Sequence, residues 1–147
     1  MVQRPPPSLV DFTRRLLQYE MERANDPGDL ADGFRRVCHA LHDRQAALIG
    51  TAGFDALFAR AHILAARDHP ILAATAVSPR GDCSVSPLPA VPAVDAQEGL
   101  DALATLLAHL IWLLVAFIGG TLGLGTVCEL WPEVPFERPD ADPEVEQ

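Results

Sequence analysis

A chain of 147 residues, 49% hydrophobic and 21% charged, is long enough to bury a core without disulfides or a structural metal. Its net charge of −9 excludes the clustered cations that phosphate neutralisation needs, and with them a nucleic-acid partner; all 11 basic residues are arginine. Three widely spaced cysteines, Cys38, Cys83 and Cys128, form no CxxC pair, which argues against a disulfide framework and for a reducing cytoplasm.

The opening Met1-Val2-Gln3-Arg4-Pro5-Pro6-Pro7 lacks the apolar stretch of a signal peptide and reads as an extended lead-in over residues 1–7. Ser8 is placed to cap a first helix, with Asp11 as its acidic N3 partner. Leu9, Phe12, Leu16 and Tyr19 recur at helical spacing to about Ala24, and Asn25-Asp26-Pro27-Gly28 is a turn. Asp29 then caps a second helix whose apolar stripe is Leu30, Phe34, Val37, Leu41 and Leu48, ending at Gly50. Thr51 can cap a third helix with Phe54, Leu57, Phe58, Ala61 and Leu64 inward, and Asp68-His69-Pro70 ends it. Ile71 to Ala74 adds at most one further turn.

Residues 77–94 lose all period. Pro79, Gly81, Pro87, Pro89 and Pro92 alternate with serines, so a long mobile loop is expected. Asp95 with Glu98 opens a last long helix in a capping-box pattern. From Glu133 onward, prolines alternate with Asp and Glu, and residues 133–147 read as a disordered acidic tail.

The segment from Leu103 to Val127 carries no formal charge and is long enough to be weighed as a membrane span. Its flanks are acidic on both sides, against the positive charge usual at a cytoplasmic end. Asp101, Thr105, Ala108, His109, Trp112 and Ala116 form one small-or-polar stripe, expected to face outward. Leu103, Leu106, Leu107, Leu110, Leu114 and Phe117 form the opposite, inward face. Glycines at 119, 120, 123 and 125 favour a break at Gly119-Gly120 and a restart. A core hairpin is therefore preferred over a span. Ala47-Leu48-Ile49-Gly50-Thr51 and Ala116-Phe117-Ile118-Gly119-Gly120-Thr121 form a short internal repeat, consistent with two helix–Ile-Gly–helix hairpins.

The run from Leu48 to Ala61 (LIGTAGFDALFARA), with Leu113 to Gly119 and Trp131-Pro132, resembles a group of uncharacterised small bacterial helical proteins. These carry LIGxxGFxALxxRA and later LLxxFIG…WP segments. The resemblance covers about Ala47 to Pro132 and implies a soluble helical domain, with no activity attached. That group has an acidic residue after the second Ile-Gly, where Gly120 stands here, which puts a polar contact at that place in doubt.

Reactive constellations are sparse. Cys38 and His42 are i, i+4 and, with His39, come nearest to a metal site, but a helix pair supplies only half a tetrahedral shell. The plainer reading packs Cys38 beside Val37 and Leu41 and leaves the histidines in water. His109 lacks an orienting carboxylate for general-base work. Arg80-Gly81-Asp82 and the Pro89 to Pro92 run are treated as loop composition. Trp112, Phe117 and Trp131 are read as core or interface aromatics, and are the interface candidates.

The expectation is an all-α bundle of four to five helices, one domain over residues 8–132, with no cofactor. Its expected role is non-enzymatic protein–protein interaction, foremost with a second copy of itself, in the cytoplasm. The alternatives are a protein bound to the inner membrane through residues 103–127, and a bundle that binds a metal or a hydrophobic ligand.

Overall fold

The computed structural model describes residues 5–23, 30–70, 72, 76–77, 85–86 and 96–134. It is all-α, a small bundle of five helices: α1 (Pro7–Arg23), α2 (Leu30–Ile49), α3 (Thr51–Asp68), α4 (Ala96–Ile118) and α5 (Gly120–Leu130). Helix α1 begins at Pro7 and not after a Ser8 cap, because Pro6 supplies the first carbonyl, to Leu9 at 2.9 Å and Val10 at 3.2 Å. Proline suits the first helical position, where its missing N–H costs nothing. The expected turn at residues 25–28 and the Asp29 and Asp95 caps lie outside the described residues.

Two junctions organise the bundle, and both are one residue long. Gly50 (φ 84°, ψ 155°) separates α2 from α3, and Gly119 (φ 95°, ψ 158°) separates α4 from α5. Each glycine N–H closes the preceding helix, onto Ala46 and Val115 at 2.8 Å in both cases. Each glycine carbonyl opens the next, accepting from Phe54 at 3.0 Å and Gly123 at 2.8 Å. The short repeat in sequence is thus a repeat in conformation. This backbone region is open to glycine almost alone, so Gly50 and not Thr51 is the N-cap of α3, without a side-chain cap bond.

Helix α4 is the hub, touching all four other helices. Leu103, Leu106, Leu107, Leu110, Ile111 and Leu114 are buried in it, against Leu9, Phe12 and Leu16 of α1 and Phe54 and Phe58 of α3. Each such large side chain contributes ~1.5–3 kcal/mol relative to exposure. The polar stripe of α4 does not face outward as expected. Thr105, Ala108 and His109 are buried, and only Ala116 is exposed. With helices on every side, α4 has no solvent face along most of its length, and its small residues let α1 approach until Thr13 Oγ1 lies 2.8 Å from the Ala104 carbonyl. On α5, a Cβ at Gly123 would meet Val115 Cγ2 at 3.0 Å and Val115 Cα at 3.1 Å. That helix rests on α4 almost backbone to backbone.

Leu48 and Phe117, both assigned to inward stripes, are 54% and 64% exposed. Each precedes its junction glycine by two residues, beyond the reach of the core. Most of the expected loop at residues 77–94 lies outside the described residues. Within it, β1 (Ala76–Val77) and β2 (Val85–Ser86) pair antiparallel, Ala76 with Ser86 and Val77 with Val85, and β2 lies against α2. A single turn at Pro70 and Leu72 follows α3. Glu133 and Val134, expected in the tail, belong to the fold, with Val134 buried; residues 135–147 lie outside the described residues.

Replacing Gly50 or Gly119 by alanine is expected to cost ~1–3 kcal/mol each in urea unfolding, the cost of holding a Cβ in this backbone region. Gly125→Ala, a helical position with open space around it, is expected to gain ~0.5–1 kcal/mol in the same assay.

Candidate functional site

The polar groups of the bundle fall into three places. The first is at the end away from the junctions. Glu20 of α1 has its carboxylate 9% exposed and accepts from Trp131 Nε1 at 2.9 Å, from Arg23 at 3.3 Å and from Arg36 of α2 at 3.4 Å. One acidic side chain thereby ties the first helix to the second and to the residue that follows α5. Tyr19 donates to Glu133 beside it. Desolvation, reinforced by the Glu133 charge, holds the phenol above its ordinary range.

The second runs along the α1–α4–α3 seam. Arg14 reaches Asp101 through Nε and Nη2, both at 2.9 Å. Thr105 donates its only hydroxyl proton to the Asp101 carbonyl at 2.9 Å, so His69 Nε2, 3.1 Å from the same oxygen, is the donor there. His62 Nε2 likewise donates, to the Leu72 carbonyl at 2.8 Å. Both rings are held by structural bonds.

The third is the α2–α3 hairpin. His42 stands edge-on to Phe54 with centroids 5.0 Å apart. Gln45 is fully buried. Among the described residues, the buried side-chain atoms without a hydrogen-bond partner are His42 Nε2, both amide atoms of Gln45, and Asp55 Oδ1. An unanswered buried polar atom costs ~1–3 kcal/mol, so four of them weigh heavily against a stability of ~5–15 kcal/mol.

The metal candidates do not converge. Cys38 is wholly buried, while His39 is exposed with Nδ1 3.6 Å from Asp43, and His42 is occupied with Phe54. Among the described residues no three His, Cys, Asp or Glu side chains are arranged to hold an ion. Of the three candidate interface aromatics, Trp131 is buried at 4% exposure and committed to Glu20, and Trp112 is half-buried against the core. Phe117 alone is presented to solvent.

Phe117 belongs to an apolar end. Arg44 of α2 and Glu129 of α5 pair at 2.6 Å, six residues before Gly50 and ten after Gly119. Glu20 gathers Arg36 of α2 and Trp131 toward the far ends of the same two helices, so at 1.5 Å per residue both junctions lie beyond the Arg44–Glu129 pair by ~9 and ~15 Å, at one end of the bundle. Leu48, Phe117 and Leu122 are exposed there by 48–64%, beside half-exposed Ile49 and Ile118. No charged residue occurs between Arg44 and Asp55 or between Asp101 and Glu129. The signal for this end was in the sequence: the same Ile-Gly junction twice, each with a large apolar residue two positions before the glycine.

No family model matches the chain, and no curated protein or solved structure matches it.

Trp131→Phe removes the N–H that answers Glu20 and is expected to lower the unfolding free energy by ~1–3 kcal/mol. In a double-mutant cycle with Glu20→Leu, the two residues are expected to couple by ~1 kcal/mol or more, measured by urea denaturation.

Proposed function

We propose that this protein is a non-enzymatic cytoplasmic interaction module that self-associates through the end formed by the two Ile-Gly junctions. The observation that supports this reading is the exposure of Leu48 and Phe117 at equivalent places in two hairpins, with Leu122 beside them. Large apolar side chains grouped on a surface favour a partner that removes them from water. Charge selects the partner. The chain carries −9, so two copies repel each other wherever acidic surfaces meet. The junction end carries little of that cost, because Arg44 and Glu129 neutralise each other and Asp55, five residues past Gly50, is half-buried.

The second reading is membrane association. Residues 97–118 have a mean hydropathy of 2.1, enough to qualify as a span by length and composition. Against it, 61% of the apolar window is buried against the rest of the molecule, so a span would strip the core from α1, α3 and α5. Shallow insertion of the junction end alone escapes this objection, but Arg44, the arginine nearest a junction in sequence, is paired with Glu129 and not free to meet acidic headgroups.

Analytical ultracentrifugation without detergent separates these readings. The wild-type chain is expected to sediment as a concentration-dependent dimer, and Leu48→Asp/Phe117→Asp as a monomer. Ile63→Asp, also on an exposed apolar residue but thirteen residues along α3 from Gly50, is expected to leave the dimer intact. A monomer at every concentration sinks the proposal. Binding to phosphatidylcholine vesicles that the double variant loses would transfer this surface to the membrane reading.

A further inference from the structure

The four unanswered atoms of the α2–α3 hairpin sit on three residues of one seam. Phe34 meets Phe58 at 6.3 Å and His42 meets Phe54 at 5.0 Å between centroids, which marks the arc of α2 that faces α3. At 3.6 residues per turn Gln45 falls inside that arc, between Phe34 and His42. Asp55 follows Phe54 and stands as many residues after Gly50 as Gln45 stands before it, so the tight junction brings the two to one height. Elsewhere the fold answers its buried polar atoms directly, as Trp131 answers Glu20 and the Ala104 carbonyl answers Thr13. The exceptions among the described residues are confined to this seam.

Their donor and acceptor balance names the ligand class. Gln45 Oε1 and Asp55 Oδ1 accept only, Gln45 Nε2 donates only, and His42 Nε2 does either according to its tautomer. A bare cation leaves the Gln45 amide nitrogen unanswered, and ammonium, which donates four times, has nothing with which to accept. Water donates twice and accepts twice. We infer that the α2–α3 seam is an internal binding site for water, held by Gln45, His42 and Asp55 as an integral part of the hairpin. Such a ligand completes the hydrogen bonding of side chains that the two helices bury but cannot satisfy between themselves. It also places a polar, exchangeable filling inside the hairpin that carries Leu48.

The full-length chain, labelled with ¹⁵N, allows a direct test. Cross-relaxation from the Gln45 side-chain amide protons to water is expected with the sign of a long-lived bound molecule, and its absence overturns the inference. Gln45→Met keeps the shape and removes both polar atoms. If water answers them, the melting temperature falls by several degrees; if they are dry, it is unchanged or rises, which also overturns the inference. A wild-type melting temperature that climbs with ammonium or zinc chloride, but not with sodium chloride, and does so only while Gln45 is present, would replace water by a cation.

Discussion

A carboxylate removed from water has to be answered by the protein, and the answer given to Glu20 decides how this bundle closes. Its donors come from α1 itself, from α2 and from Trp131, which stands beyond the end of α5. Burying an ionised group without such donors would cost more than the contacts of an ordinary core residue return. The first helix and the end of the last are thereby drawn to one point, 111 residues apart in sequence. Everything between them is arranged around α4, whose leucines fill the space that this closure encloses. The closed end is polar and the opposite end apolar. That asymmetry underlies the functional reading.

The helices, their order and the break at residue 119 were legible because each rests on local chemistry: apolar period, proline and glycine. The facing of α4 was not. Asp101, Thr105 and His109 form a stripe that reads as solvent-exposed, yet Arg14 of α1 and His69 after α3 reach it, and Thr105 and His109 are buried. A polar residue on a helix reports that it needs partners, not whether water or protein supplies them. His69 and the close approach of α1 supply part of that partnership here, and neither is visible in the α4 sequence.

Leu48 and Phe117 fail in the opposite sense. Both fit the helical period of an inward face and both lie outside, two residues before the chain reverses. Period alone cannot report where a core stops. Trp131 reads by size as a core or interface aromatic, and what size does not show is that its indole N–H is needed inside. The roles of Gln45 and Asp55 went unread for a related reason. A lone Gln or Asp looks like surface until the junction at Gly50 folds one against the other's helix.

The junction at Gly119 has a consequence for what the chain could become. Glycine occupies right-handed helical backbone almost as readily as the region it occupies here. Rotation at that one residue would join α4 and α5 into a continuous rod from Ala96 to Leu130, ~52 Å long at 1.5 Å per residue. The chain itself therefore does little to enforce the hairpin. What holds it bent is the bare contact of Gly123 on Val115, with Leu124 and Val127 buried behind it. A side chain at position 123 would act as a wedge at the hinge, and straightened copies could trade their last helices.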